Sequence, residues 1–161
     1  MKAAAPILTA LALLAACGQA EVASAGLCAA GETAFFECQT RSRKSIAVCG
    51  APPGTLQYRY GTEKKVELGF PQDPASGTKS LLYAHYFRSQ VDRTEITFTN
   101  QSVDYAVFDY TENGKRSAGV RVSPQGGKET EIACAGRVTS RLGELEKYLP
   151  CDRDNALAAC R

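Results

Sequence analysis

The sequence predicts an all-β domain: a mainly antiparallel meander of about nine strands, closed as a barrel or sandwich, braced by disulfides and followed by a short C-terminal helix. Three observations predict it. Short runs of alternating apolar and polar residues recur at roughly ten-residue spacing, each stopped by a turn signal. Seven cysteines stand in 161 residues, at spacings that suit cystines and not metal ligation. A helical period appears only near the end, where Leu142, Leu145 and Leu149 fall at i, i+3 and i+7.

Thr33–Cys38 and Lys44–Cys49 are the first two strands, joined through the basic loop Thr40-Arg41-Ser42-Arg43. Phe36 and Cys38 on the first strand and Ala47 and Cys49 on the second are expected on one face, and Phe35, Ile46 and Val48 on the other, so both faces are partly apolar and the pair is expected to be covered on both sides. Ala51-Pro52-Pro53-Gly54 breaks the pattern. Leu56, Tyr58 and Tyr60 then alternate inward, Gly61-Thr62-Glu63 turns the chain, and Val66–Phe70 alternates again. Pro71 to Ser80, with two prolines and a glycine, reads as a long exposed loop. Leu81–Phe87, Arg93–Thr99 and Val103–Tyr110 continue the meander. Asn113-Gly114 marks a tight hairpin, and Ala118–Val122 and Thr130–Cys134 complete the count. Thr139 or Ser140 can cap the leucine helix, Pro150 stops it, and Asp152–Cys160 can add a last helical turn.

The first 25 residues read as a leader and tether, and 26–161 as a single domain. Lys2 supplies a positive start, and the apolar run that follows is too short for a comfortable membrane span before Gly18, Gln19 and Glu21 interrupt it. This is the pattern of an export signal. Leu14-Ala15-Ala16-Cys17 resembles the lipobox of bacterial lipoproteins, which implies Cys17 as the acylated first residue of the mature chain. The alternative is ordinary signal cleavage after Ala20 or Ala25. Position 18 is not Asp, which does not favour inner-membrane retention in the enterobacterial pattern. The expected location is the periplasm or outer membrane, otherwise the secreted fraction, with any membrane contact made through the lipid.

With Cys17 lipidated or removed, Cys28, Cys38, Cys49, Cys134, Cys151 and Cys160 form an even set suited to an oxidising compartment. Six cysteines allow fifteen connectivities. The expected pairs are Cys134 with Cys151, bracketing the helix; Cys38 with Cys49, on one face of neighbouring strands; and Cys28 with Cys160, tying the ends. Zinc needs closer ligand pairs than the chain offers, and no metal or cofactor is expected.

The formal net charge of +2, with both signs interspersed, gives no nucleic-acid footprint. His85 is the only imidazole, so any Ser-His-Asp or Cys-His arrangement must use it. Its place among Tyr83, Tyr86 and Phe87 on a strand reads as structural, no G-x-S-x-G elbow is present, and a non-enzymatic protein is expected. The carboxylate pairs Asp104 with Asp109 and Glu95 with Glu131 are not set apart from other acids. Gly126-Gly127 is a turn and no phosphate cradle. Asn100-Gln101-Ser102 fits a glycosylation sequon but is read as chance. Tyr58, Tyr60, Tyr83, Tyr86, Tyr105 and Tyr110 read first as strand composition and second as a binding face.

Phe36-Glu37-Cys38, Lys44–Cys49, Tyr58-Arg59-Tyr60-Gly61 and Glu67-Leu68 resemble a group of small exported bacterial proteins with no assigned activity. The long loop holds Ser76-Gly77-Thr78-Lys79-Ser80, similar to the S-G-x-K-Y-like loop of bacterial C-type lysozyme inhibitors, with Ser80 in place of the aromatic. That resemblance implies Ser76, Gly77 and Lys79 as a binding loop, with Ser76 and Lys79 entering a lysozyme cleft. The sequence therefore predicts an exported envelope protein acting by binding or as structure, through an unidentified protein or small ligand. A wall-hydrolase inhibitor and a small-ligand carrier in a β-barrel are the alternatives.

Overall fold

The structure is a computed structural model describing residues 26–157. The leader, Cys17 and Cys160 lie outside the described residues. The described chain forms nine strands: β1 (Thr33–Thr40), β2 (Ser45–Ala51), β3 (Thr55–Thr62), β4 (Lys65–Phe70), β5 (Leu82–Arg88), β6 (Val91–Asn100), β7 (Val103–Glu112), β8 (Lys115–Pro124) and β9 (Thr130–Ser140). Each contains or overlaps one of the alternating runs.

All pairings within the sheet are antiparallel, in the order β4-β3-β2-β1-β9-β8-β7-β6-β5. Two meanders, β1 to β4 and β5 to β9, are therefore joined along the single seam between β1 and β9. The sheet curls into a half-barrel. Side chains of alternate parity fill the concave side: Phe36, Ile46, Val48, Leu56, Tyr58, Ile96, Phe98, Val107 and Val120 form one buried cluster. Phe98 of β6 stacks on Phe70 of β4 with ring centroids 4.5 Å apart and lies 5.1 Å from Tyr58 of β3. The second meander thus closes onto the first across the interior.

Leu142, Leu145 and Leu149 plug this interior, as their spacing predicts, and the element they form is a short one. It is a 3-10 turn, Leu142–Leu145, packed between β1 and β6 and followed by one wider turn in which Leu149 N donates to Leu145 O at 3.0 Å. No side chain caps its start, because Thr139 and Ser140 are consumed by β9, where they pair with Glu37 and Phe36. The chain then pairs in parallel with the edge of β5: Tyr83 N donates to Pro150 O at 2.9 Å and Asp152 N to Tyr83 O at 2.8 Å. Residues 152–157 form turns, with no helix among them.

Pro71 to Ser80 is only partly the exposed loop predicted. It holds a 3-10 turn, Pro74–Ser76, and a four-residue helix, α1 (Gly77–Ser80). Gly77 is buried so closely on β3 that a Cβ would stand 1.8 Å from the Leu56 carbonyl oxygen. The absence of a side chain at Gly77 is what lets this link lie down on the sheet.

The cystines differ from all three expected pairs. Cys28 is bonded to Cys49 and Cys38 to Cys134. Cys151 is also disulfide-bonded, and not to Cys134. The register explains the first correction. Cys38 stands opposite Ile46, not opposite Cys49, and Cys49, three residues further along β2, points to the other face. On the convex side Cys49 meets Cys28, with Leu27 and Ala47 around them. Cys28 is thereby used, so it cannot tie the N-terminal segment to Cys160. The second correction comes from β9. Between Cys38 and Thr40 the β1–β9 register jumps from Val138 to Cys134, a bulge containing Gly136 at φ +89°. The bulge brings Cys134 beside Cys38, with Cα atoms 5.7 Å apart. Cys151 is held at the β5 edge, four strands away from β9.

The Cys38–Cys134 bond spans 96 residues and Cys28–Cys49 spans 21. Loop-closure entropy gives the longer bridge the larger effect. Replacing Cys38 and Cys134 together by Ala is expected to lower the free energy of unfolding by about 2–5 kcal/mol, measured by urea titration. The Cys28/Cys49 double replacement is expected to cost less, and the reverse order would contradict the seam's role.

Candidate functional site

The most distinctive arrangement lies on the convex side, where β6, β7 and β8 present Arg93, Glu95, Thr97 and Thr99 beside Asp104, Ala106, Phe108 and Tyr110, and beside Arg121 and Ser123. This face should be the solvated one, because its strands alternate apolar-in and polar-out. It is instead covered in part by the segment after Cys151. Asn155 Nδ2 donates to Glu95 Oε2 at 2.7 Å, and Thr97 Oγ1 donates to Asp152.

Glu95 is only 3% exposed. Its Oε1 accepts from the Tyr110 hydroxyl and from the Arg121 guanidinium, and Arg121 also donates to Tyr110 Oη at 2.9 Å. The Arg121 guanidinium lies over the buried Phe108 ring at 5.0 Å and beside Tyr110 at 5.4 Å. A carboxylate so deep needs a cation and bonds to both oxygens, and it has them. Burial, helped by the bond to Glu95, pushes the Tyr110 phenol up to about 12. Burial works against the Arg121 charge, but the bond to Tyr110 and the charge of Glu95 outweigh it and raise its pKa. With three bonds on its two oxygens, the Glu95 carboxylate is fixed in place and organises the site electrostatically.

Around this cluster opens a groove of about 770 Å³, within the size range of small-ligand sites. Its walls carry the hydroxyl residues Ser80, Thr97, Thr99 and Ser123 and the acids Asp104, Glu129, Asp152 and Asp154. The two arginines that line it are already paired, Arg93 with Glu112 at 2.7 Å and Arg121 with Glu95. The groove therefore presents an excess of carboxylate.

The residues singled out from sequence fall elsewhere or divide. Ser76 donates through Oγ to Asp73 O at 2.8 Å, Gly77 is buried, and Lys79 is exposed. Tyr58, Tyr60, Tyr83 and Tyr105 belong to the concave core, while Tyr110 enters the convex site and Tyr86 packs near it, with Arg88 against its ring. Asp104 and Asp109, five residues apart, lie on opposite faces: Asp104 accepts from Thr99 at 2.6 Å and Asp109 pairs with Arg116 at 2.8 Å. Glu131 stands opposite Arg121 across the β8–β9 pair, so Glu95 and Glu131 flank one arginine. His85 Nε2 lies 2.9 Å from Asp92. All five described cysteines are in disulfides, which excludes a Cys-His dyad among the described residues. No cluster of three or more His, Cys, Asp or Glu suited to a metal occurs among them. Asn155 was not visible as a site residue; its only signal was position in a polar C-terminal stretch.

Fold and site together define a disulfide-braced, meander-built half-barrel with a polar groove on its convex face. No protein family, curated protein or solved structure was found to match the chain.

Burial also raises the Tyr83 phenol to about 12 and the Tyr58 phenol further. An unfolded chain ionises these groups near 10, before the folded chain does, so their contribution to stability is full below pH 10 and is lost as pH rises toward 12. Phenolate absorbance should show Tyr58, Tyr83 and Tyr110 titrating last, and the urea midpoint should fall across that window. Titration of all tyrosines together near their ordinary value, with the fold intact, would contradict the buried placement.

Proposed function

We propose that this is an exported envelope protein that works by non-catalytic binding, and that the convex groove beside Glu95 is its binding site for a small amine-bearing ligand. The observation that carries the reading is the fixed Glu95–Arg121–Tyr110–Asn155 cluster under a groove in which Asp104, Glu129 and Asp154 make no ion pair among the described residues. Such a site is pre-organised: its central charge is held before any ligand arrives, and the rim carboxylates and hydroxyls supply acceptors for an ammonium group. The interior of the curl is filled by side chains, so a carrier reading moves from the inside of the barrel to its outer wall. The disulfides point to an oxidising compartment, which supports export. The hydrolase-inhibitor reading draws less support, because Lys79 is the only exposed residue of Ser76, Gly77 and Lys79.

Titration with spermidine, followed by amide chemical shifts, tests the site. Saturable shifts are expected along β6, β7 and β8 around Glu95, Asp104 and Arg121. Asp104→Asn with Glu129→Gln is expected to weaken binding about tenfold or more, on the scale of 1.4 kcal/mol per decade. Shifts confined to another face, or unchanged affinity in the double variant, would contradict it. Anchoring has its own test: Cys17→Ser should move the protein from a detergent-requiring to a soluble fraction. A native chain beginning at Glu21 or Gly26 would rule the lipid out.

A further inference from the structure

The β1–β2 and β3–β4 turns lie side by side, because β2 and β3 pair through Ser45 and Gly61 at their adjoining ends. Together they carry Arg41, Arg43, Lys64 and Lys65, all exposed. None of the four makes an ion pair among the described residues. Glu67 is occupied by Lys44 at 2.7 Å, which leaves Glu63 as the one acid in these turns without a cation. Val66, beside Lys65, is 47% exposed, an apolar side chain within a basic rim.

The scaffold under these charges is firm. Thr40 N donates to Lys44 O at 2.7 Å, Thr40 Oγ1 to the same oxygen at 2.9 Å, and Arg43 N to Thr40 O at 3.0 Å. Arg43 sits at φ +62°, where glycine is the easier residue. The turn thus carries a cation at a position whose backbone favours having no side chain.

We propose that the paired β1–β2 and β3–β4 turns form a docking surface for anionic phospholipid headgroups. The cations are carried by two neighbouring turns and all are exposed, which suits a plane of phosphates. Juxtaposed lysines and arginines each raise partitioning onto an anionic membrane by roughly fivefold, so the four act together although each is weak. This surface is independent of the convex groove and of any acyl chain on Cys17.

The test uses the exported full-length product carrying Cys17→Ser, so that no acyl chain contributes. It is sedimented with phosphatidylcholine vesicles, with and without about one-third phosphatidylglycerol. Partitioning should rise at least tenfold with the anionic lipid and fall as salt is added. Arg41→Gln/Arg43→Gln/Lys64→Gln/Lys65→Gln should reduce it to the neutral-lipid level. Arg43→Gly removes one charge while easing the backbone, so its expected severalfold loss cannot come from misfolding. Arg88→Gln/Lys115→Gln, in the turns at the opposite end of the meander, should leave binding unchanged. Equal partitioning onto both vesicles, full binding by the quadruple variant, or release by inorganic phosphate at constant ionic strength would overturn the proposal.

Discussion

The pairing of β1 with β9 is the interaction on which the rest of the fold depends. Every other strand pairs with its neighbour in sequence, so each meander can form locally from its own turns. The seam alone joins residues about a hundred positions apart, and closing so long a loop carries the largest entropic cost in the topology. It is also the least regular pairing. β9 gives its first residues, Thr130–Ala133, to β8 and its last, Val138–Ser140, to β1, with the bulge around Gly136 between them. The Cys38–Cys134 bond lies at this change of partner. It fixes the point where the sheet turns its corner and lets the concave faces of both meanders share one core.

Both flanking segments of the described chain brace the convex face, each on one meander and each with an Arg–Glu pair. Residues before β1 lie across β2 and β3, held by Cys28–Cys49 and by Glu32, which takes a two-pronged contact from Arg59 at 2.6 and 2.8 Å. The bond from Arg59 holds the Glu32 carboxyl below its ordinary value. Residues after Cys151 lie against β6, held by Asn155 on Glu95 and by Thr97 on Asp152. On the first meander the cover closes over Leu27 and Ala47. On the second it leaves the acid-lined groove open. That difference is why the second half of the convex face, and not the first, is the candidate site.

Strand positions were legible because alternation is a local signal and the strands obey it; β6 runs only a few residues beyond the predicted Arg93–Thr99. The leucine stripe correctly marked a buried face, but Thr139 and Ser140 bond better as the end of β9 than as caps, which shortens the helix to a turn. The disulfides were not legible. Cys38 and Cys49 were expected on one face, whereas the hairpin register runs unbroken from Gln39 opposite Ser45 to Phe36 opposite Val48 and sets Cys38 against Ile46, so that Cys49, three residues along β2, faces the other way. Glu95 was equally hidden. In Thr94-Glu95-Ile96-Thr97-Phe98 it occupies an outward position, which normally means water. It is buried because Asn155, 60 residues later, covers it. No pattern within a strand carries that information.

One small scaffold carries a filled concave core, a convex acid-lined groove and a basic rim of turns. All of them rest on the two meanders being joined at β1 and β9 in the register described. Peptide mapping of the non-reduced protein by mass spectrometry tests that register most directly. Peptides linking Cys38 to Cys134 and Cys28 to Cys49 are expected. A Cys38–Cys49 or Cys134–Cys151 linkage in the native protein would contradict it.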